Sequence, residues 1–345
     1  MFEAITIKDI AKALGLSTST VSRALRGSYE ISPQTKKIVL EYAEKHNYRP
    51  NPIALSLKER RSRSIGVVVC EIANNYFSQA INGIESIAYN RDYHVIITQS
   101  HESYDREIIN AQHLSSRSVD GLLVSLSTET ENVDHFKSLH DKGLPIVFFD
   151  RVTDEIYTHK VIVDNYKGAF EATEHLIKSG FKKIAHITSS SHLSITKERL
   201  AGYKDALEKH KIPFSESYVK YCQHGGMILS EIEDNIKELL KLKVKPDAIF
   251  AASDRVTTSC FATLKKLNLN VPKDMGLICF TNSSLVELLN PSLSAVKQPA
   301  FEMGQVATEL LLQLIESKRP VTEFETRVLH TDLIIRDSSV KGKKK

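Results

Sequence analysis

The sequence predicts a small all-α helix-turn-helix head, a short basic segment, and a two-lobed α/β body made of two doubly wound parallel sheets. Three observations predict this fold class. Three helix-start signals are crowded into the first 49 residues, an arginine-rich stretch follows, and β-branched runs then alternate with amphipathic patterns. A chain of 345 residues is long enough for two or three domains.

The head begins with signals for three helices. Thr6 opens a capping box, Gly15 supplies the left-handed position that ends the first helix, and Ser17 caps the second. The pair Ser32-Pro33 starts the third helix. Three short helices with a glycine turn between the first two follow the helix-turn-helix plan. The buried side of the third helix is predicted at Ile38, Val39, Tyr42 and Ala43.

The second helix has an outer face of short hydroxyl side chains and one long cation, Thr18, Ser19, Ser22 and Arg23. Short hydroxyls allow a helix to lie close against a DNA groove, and Arg23 can donate to guanine O6 and N7. The alternative is a plain solvent-facing helix, but such a face is usually richer in Glu, Lys and Gln. This face therefore predicts DNA binding.

Positive charge is concentrated in the same region. Residues 1–64 hold twelve Lys/Arg and six Asp/Glu, a balance of +6, whereas the whole chain is +4. A basic head on a slightly acidic body indicates a polyanionic partner. On charge alone, a solvated basic surface is an equally good interpretation.

The basic segment contains a short helix that needs a partner surface. Asn51-Pro52 is a helix-starting pair, and Ala54 and Leu57 share one face at helical spacing. Two turns of helix are unstable alone in water, so Leu57 must pack against something else.

The stretches "TIKDIAKALGLSTSTVSRAL" (6–25) and "YRPNPIALSLK" (48–58) resemble the lactose-repressor (LacI/GalR) family of bacterial transcription regulators, and the resemblance covers essentially the whole chain. It implies a periplasmic-binding-protein-like body and a homodimeric repressor of a carbohydrate-related operon. Its partners would be a pseudo-palindromic operator and a small-molecule effector between the lobes, such as a sugar or sugar phosphate. An alternative within the family replaces that effector with a protein co-regulator.

The resemblance also implies roles for residues of the head. It places base reading at Thr18, Ser19 and Arg23. It places phosphate contacts at Thr6, Ser17, Thr20, Ser22, Arg26, Ser32 and Thr35. The basic segment becomes a hinge helix that enters the minor groove with Ala54, Leu57 and Lys58, where Leu57 wedges into a base step. The alternative is that Leu57 packs on the neighbouring domain.

The body shows two sets of apolar runs typical of strands that are buried on both faces. They span 65–72, 94–100, 119–126 and 144–150, then 182–189, 216–222, 246–253 and 275–282. The predicted segments are a head at 1–49, a hinge at 50–64, a first lobe at 65–163 plus 295–323, a second lobe at 164–294 plus 324–340, and a basic tail at 341–345.

Ligands of such sheets bind at the carboxyl ends of the strands. The resemblance places effector contacts at Tyr76, Phe77, Asp150, Arg199, Ser253, Asp254, Thr281 and Asn282. Without the resemblance, Tyr76 and Phe77 are better interpreted as a core pair. Asp150 fits a strand-end salt bridge equally well, Arg199 could be a solvated helix residue, and Asp254 could cap a helix. Thr281 departs from the family, which commonly has an aspartate there. Arg199 facing Thr281 then predicts an anionic ligand.

Other classes of function find little support. The sequence has no glycine-rich nucleotide loop and no G-x-S-x-G or H-E-x-x-H motif, so we expect neither an enzyme nor a catalytic residue. Four dispersed cysteines indicate buried thiols in a reducing compartment, without a metal or cofactor. No apolar run could cross a bilayer and no secretion signal opens the chain, which opposes a secreted solute-binding protein. We expect a cytoplasmic protein.

Overall fold

The computed structural model describes residues 5–49 and 61–341. The predicted hinge residues Ala54, Leu57 and Lys58 lie outside these ranges, as does the tail from residue 342. The chain divides into two compact units, Met1–Ser62 and Arg63–Lys345.

The first unit holds three helices, α1 (Ile7–Leu14), α2 (Thr18–Leu25) and α3 (Pro33–Lys45). The predicted caps are confirmed: Thr6 forms the capping box, Ser17 and Ser32 accept first-turn N–H groups, and Gly15 has a φ of 64°. The apolar faces meet in a small core that contains Ile10, Ala11, Val21, Ala24, Val39 and Ala43.

One predicted core position in the head is wrong. Ile38 is 45% exposed, whereas its neighbour Val39 is fully buried. Val39 and Ala43 are four residues apart and cover the inner face of α3, and Ile38 is displaced from them by one step of about 100° around the helix. The other two helices of the head are too short to cover both the Val39–Ala43 face and the neighbouring position of Ile38.

The first sheet of the body has the strand order β11-β5-β4-β3-β1-β2, and every pairing in it is parallel. Its strands are β1 (Ser64–Val69), β2 (His94–Gln99), β3 (Gly121–Val124), β4 (Ile146–Phe149), β5 (Lys160–Val163) and β11 (Thr326–Leu329). Its helices are α4 (Asn75–Asn90), α5 (Tyr104–Ser116), α6 (Asp134–Asp141) and α11 (Ala300–Glu316).

Alternation along the strands builds two cores in this lobe. Val67 and Val147 point to the face covered by α4 and α11, whereas Val68 and Phe148 point to the face covered by α5 and α6. Both faces are therefore buried, which is why the strands are continuous apolar runs. Gly304 allows α11 to touch α4, since a Cβ at that position would overlap the carbonyl of Ala80.

The second sheet has the order β12-β10-β9-β8-β6-β7, with β12 antiparallel to β10. Its strands are β6 (Ile184–Ser189), β7 (Val219–Cys222), β8 (Ala248–Ala251), β9 (Gly276–Phe280), β10 (Ser294–Lys297) and β12 (Asp332–Ile334). Helices α7 (Asn165–Lys178) and α8 (Ser194–Lys209) cover one face, and α9 (Leu229–Lys241) and α10 (Asp254–Lys266) cover the other. Each predicted apolar run contains a strand, although 216–218 form a 3₁₀ turn before β7.

The predicted crossings between the lobes need correction. Ser294–Lys297 pair with β9 in the second sheet, although 295–297 were assigned to the first lobe. Thr326–Leu329 pair with β5 in the first sheet, although 324–329 were assigned to the second lobe. Strands of four residues carry too little pattern to show which of two similar sheets they join.

The carboxyl ends of β1 to β4 lie at one edge of the first sheet, and those of β6, β8 and β9 lie at one edge of the second. Side chains that follow these strands meet between the lobes, in what we call the interlobe cleft. Among the helices of the described ranges, none has the length and apolar character needed to span a membrane.

Candidate DNA-binding face and interlobe cleft

The outer face of α2 presents a compact set of polar side chains. Thr18, Ser19 and Arg23 are exposed there, whereas Val21 and Ala24 are buried in the core of the head. A helix face of short hydroxyls and one long cation can lie closely in the major groove. The structure thus brings together the three residues predicted to read bases.

Arg23 has an acidic partner within the head. Its Nη1 lies 3.1 Å from Glu30 Oε2, and both side chains are about half exposed. Exposed ion pairs of this kind contribute little to stability, so the guanidinium can exchange the carboxylate for a base edge. No local pattern indicated a role for Glu30, because it lies in the loop between α2 and α3.

Four of the hydroxyls predicted to contact phosphates lie at the N-termini of α2 and α3. Ser17 Oγ accepts the N–H of Thr20 at 3.0 Å, and Ser32 Oγ accepts the N–H of Thr35 at 3.1 Å. A helix N-terminus carries partial positive charge and directs N–H groups outward. The ends of α2 and α3 therefore suit a phosphate electrostatically.

The remaining predicted phosphate contacts are engaged within the head. Thr6 Oγ1 donates to Asp9 Oδ2 at 2.6 Å, and this hydrogen bond lowers the pKa of Asp9. Arg26 turns back along α2, where its Nε donates to the Ser22 carbonyl and its Nη2 to the Ser22 hydroxyl, both at 3.1 Å. These side chains must change partners to reach a phosphate, so their DNA roles stay predictions.

In the interlobe cleft, six of the eight predicted effector contacts converge: Tyr76, Asp150, Arg199, Asp254, Thr281 and Asn282. The N–H of Tyr76, in the first lobe, donates to Asp254 Oδ2 at 3.3 Å in the second. Tyr76 and Phe77 both belong to the core of the first lobe, with ring centroids 5.3 Å apart, and Tyr76 also lies beside Asp150. Ser253 caps α10 by accepting the N–H of Val256.

Asp150 is the buried carboxylate contributed by the first lobe. Burial raises its pKa, while Arg151, Arg199 and a hydrogen bond from Tyr76 oppose the rise. Its φ of 60° is a left-handed conformation that costs a non-glycine residue free energy. Residues in such conformations are often found at binding and catalytic sites, which fits the position of Asp150 at the cleft.

Asp254 supplies the carboxylate predicted to be missing at Thr281. The Thr281 hydroxyl donates to Asp254, and the N–H of Asn282 donates to Asp254 Oδ1 at 2.9 Å. Burial raises the pKa of Asp254, and these hydrogen bonds oppose the rise. This carboxylate beside Thr281 weakens the argument for an anionic ligand, which stays a prediction. The sequence placed Asp254 and Thr281 in one cleft, but it could not show that the start of α10 hydrogen-bonds to the loop after β9.

Arg199 is a fixed, buried cation of the second lobe. Its Nε donates to Asn165 Oδ1 at 2.8 Å, its Nη1 donates to the Ala252 carbonyl, and its guanidinium lies 4.1 Å from the centre of the Phe280 ring. Burial lowers its pKa to about 10, which leaves it charged at neutral pH. The alternative of a solvated helix residue is wrong, since Arg199 is only 3% exposed.

A buried ion pair next to Asp150 escaped the sequence analysis. Arg151 Nη1 and Nη2 donate to the two carboxylate oxygens of Glu102 at 2.7 and 3.1 Å. Burial would raise the pKa of Glu102, but Arg151 and Thr128 together hold it below its usual value. The sequence showed Arg151 directly after β4, whereas Glu102, 49 residues earlier in the chain, gave no signal.

Three buried polar atoms at the edge of the first sheet have no hydrogen-bond partner in the structure: Arg151 Nε, Ser100 Oγ and Ser125 Oγ. Each belongs to a residue one or two positions beyond β4, β2 or β3. Buried polar groups are normally satisfied, so unpaired ones at a cleft indicate the position of a polar ligand or water. Cys70, beyond β1, lies beside them, with Arg151 Nη1 at 3.2 Å from its Sγ.

The charge of the cleft does not favour an anion. Its described walls carry the carboxylates of Glu71, Glu102, Asp150, Glu198 and Asp254. The guanidinium groups facing them belong to Arg151, Arg199 and Arg255. Within the described ranges, no group of three His, Cys, Asp or Glu side chains is arranged to hold a metal ion.

The two units together define a class of protein. The first unit is a three-helix head with a face of hydroxyls and one arginine. The second is a two-lobed body whose strand ends form a polar cleft. This combination is typical of a ligand-responsive DNA-binding regulator. Residues 6–51 match the model of "Bacterial regulatory proteins, lacI family", and residues 173–339 match that of a "Periplasmic binding protein-like domain".

Similar proteins extend the match to nearly the whole chain. Catabolite control protein A of Priestia megaterium is 30% identical, over 91% of this chain and 93% of its own. The ribose operon repressor of Haemophilus influenzae is 31% identical, over 96% and 98%. The solved structure of the transcriptional regulator CelR–cellobiose complex is 27% identical and has a TM-score of 0.72, over 97% and 99%.

The chain belongs to the LacI family of bacterial regulatory proteins, and it is a DNA-binding transcriptional regulator. The resemblance noted in the sequence and the predicted fold class are both confirmed.

Proposed function

We propose that the protein is a cytoplasmic repressor of a carbohydrate-related operon, which binds a pseudo-palindromic operator as a homodimer. The names of its relatives support a sugar-linked role, since one is a ribose operon repressor and a solved structure contains cellobiose. The exposed hydroxyl-and-arginine face of α2 supports sequence reading in the major groove. Each monomer would supply its single head to one of the two half-sites.

An exposed apolar patch supports the dimer. Leu285, Leu288 and Leu289 lie in or just after the 3₁₀ turn at 284–287, and they are 63, 77 and 37% exposed. Neighbouring apolar residues of this kind on the surface mark a protein contact. A second copy of the chain is the partner that the proposed two-fold operator requires.

The effector we propose is a neutral polyhydroxylated molecule, held in the interlobe cleft. The observation that carries this proposal is that each lobe contributes one carboxylate, the buried Asp150 and the partly buried Asp254, around the buried cation Arg199. Carboxylates are strong acceptors for hydroxyl groups, and a guanidinium donates in a fixed direction. The excess of carboxylates in the cleft opposes a phosphate or acid.

A thermal-shift panel tests the ligand class. Neutral sugars, sugar phosphates and sugar acids are compared on the wild type and on Asp150→Asn, with Asp205→Asn on the outer side of α8 as the control. We expect a neutral sugar to raise the Tm of the wild type and the control, and Asp150→Asn to lose that response. Stabilisation by anionic sugars alone would contradict the proposal.

The second candidate is control by a protein co-regulator in place of a small effector. The observation that favours it is that protein donors already engage the carboxylates of Asp254 and Glu102. Including phosphocarrier proteins in the same panel separates the two. A response to such a protein and to none of the sugars would select this candidate.

A further inference from the structure

A two-pronged ion pair joins the lobes at the rim of the cleft. Glu71 lies two residues beyond β1 in the first lobe, and Arg255 is the second residue of α10 in the second. Arg255 Nε donates to Glu71 Oε2 at 2.7 Å, and Arg255 Nη2 donates to Glu71 Oε1. The fork geometry of arginine fits a carboxylate in this parallel arrangement.

The pair is partly shielded from solvent. The side chain of Glu71 is 12% exposed and that of Arg255 is 41% exposed. A nearly buried carboxylate that loses its partner pays a desolvation cost unless it can reach water. Moving the lobes apart would rehydrate Glu71, so the pair is coupled to the distance between the lobes.

Other bonds of the protein cross the cleft beside it. The side chains of Gln79, in α4, and Asn282, beyond β9, exchange hydrogen bonds: Gln79 Nε2 donates to the Asn282 carbonyl at 3.1 Å, and Asn282 Nδ2 donates to Gln79 Oε1 at 2.9 Å. On another side, Gly225 of the second lobe is so close to Glu102 of the first that an added Cβ would lie 2.7 Å from Glu102 Oε1. Both lobes are therefore bridged by side chains of the chain itself.

We propose that the Glu71–Arg255 pair is a latch that holds the lobes closed in the absence of any effector. The latch joins two sheets that each have their own hydrophobic core, so its loss shifts the balance between closed and open lobes more than it unfolds either lobe. The inference rests on the geometry of the body and is independent of the ligand class proposed above.

The latch changes what an effector must accomplish. A binding protein that is open at rest uses ligand contacts to bring its lobes together, and its apparent affinity is reduced by the fraction of molecules that are open. A latched protein is closed beforehand, so little of the binding free energy is consumed by closure. Glu71 and Arg255 would thereby set the sensitivity of the regulator without touching the ligand.

Distances between spin labels test the latch on the full-length, ligand-free protein. Labels on Asp105→Cys, at the start of α5 in the first lobe, and on Leu229→Cys, at the start of α9 in the second, occupy exposed positions on the cleft side of each lobe. With the labelled protein diluted in an excess of unlabelled protein, so that few dimers hold two labelled copies, we expect one short distance. Arg255→Gln should raise the population of a longer distance by about tenfold, as expected for loss of a partly buried ion pair.

Two further variants show whether the change in distance is caused by loss of the Glu71–Arg255 pair. The charge swap Glu71→Arg with Arg255→Glu should restore the short distance. Arg91→Gln is the matched control, because Arg91 pairs with Glu316 at 3.2 Å inside the first lobe and its loss should leave the distance unchanged. An unchanged distribution in Arg255→Gln, or a swap that folds with the wild-type circular dichroism spectrum but stays open, would overturn the proposal.

Discussion

Individual side chains on the DNA-binding face are paired within the protein. Arg23 contacts Glu30, and Arg26 contacts Ser22, so each cation would have to change partners to make its predicted DNA contact. An exposed pair of this kind orients the cation but contributes little to the stability of the DNA-free protein, so it can be exchanged at low cost. The same arrangement recurs in the cleft, where Asp254 accepts from Thr281.

Replacing Arg23 tests base reading directly. Arg23→Ala should cost about 1–3 kcal/mol on the best operator and relax the preference at one base pair in each half-site, because the forked contact to guanine is lost. Fluorescence anisotropy with duplexes changed at single positions measures both effects. Equal weakening on every sequence would instead make Arg23 a phosphate contact.

Glu30→Gln is the matched comparison. It removes a negative charge beside Arg23 and is expected to strengthen binding to DNA of any sequence, since less repulsion opposes the phosphates. Weaker binding in this variant would show that Glu30 takes part in recognition.

His186 provides a test of stability against pH. It is fully buried in β6, with ring centroids 5.2 Å from Tyr203 and 4.6 Å from Phe250, and burial lowers its pKa to about 3. The unfolded chain takes up this proton below about pH 6.5, whereas the folded chain does not until about pH 3. Acid therefore favours unfolding across that window.

The expected contribution of His186 between pH 7 and pH 5 is a loss of about 2 kcal/mol in the free energy of unfolding. His186→Phe should remove that part of the pH dependence. Urea unfolding of both proteins at the two pH values measures it. The same pH dependence in both proteins would show that His186 is protonated in the fold.

At the scale of helices and strands, local patterns predicted the fold well. Capping residues marked the starts of α1, α2 and α3, and continuous β-branched runs marked the central strands of both sheets, because both signals depend on neighbours in sequence. Pairing between distant segments was not predictable. The short strands β10 and β11 were assigned to the wrong lobes for this reason.

The cleft shows the same division between local and distant information. Residues directly after strands, such as Asp150, could be placed there, because the carboxyl ends of parallel strands share an edge. The partners that complete the site could not. Glu102 meets Arg151, and Glu71 meets Arg255 from 184 residues away, and no local pattern encodes such pairs.

The patch around the 3₁₀ turn at 284–287 gives a test of the dimer. Leu288 is 77% exposed, so Leu288→Glu should leave the monomer folded while placing a charge where we expect a second copy to pack. Analytical ultracentrifugation should show a dissociation constant at least about tenfold weaker. Lys266→Glu, on the exposed side of α10, is the control. An unchanged dimer would place its interface elsewhere.

Across the whole molecule, charge and cavity are divided between the two units. The head and the segment after it carry the positive balance, and the body carries the cleft with its excess of carboxylates. A regulator needs both parts, because the polyanion must be held at one place and the signal received at another. Binding to DNA should therefore weaken by orders of magnitude as salt rises, whereas ligand binding in the cleft should respond far less.

Selection of duplexes from a random DNA library by the purified full-length protein is the most direct test of the central claim. The account predicts enrichment of one inverted repeat with two half-sites, each read by the α2 face of one monomer. It also predicts that Arg23→Ala loses the preference at the same position of both half-sites. Enrichment of no sequence, or of a single unpaired half-site, would contradict a dimeric, sequence-specific regulator.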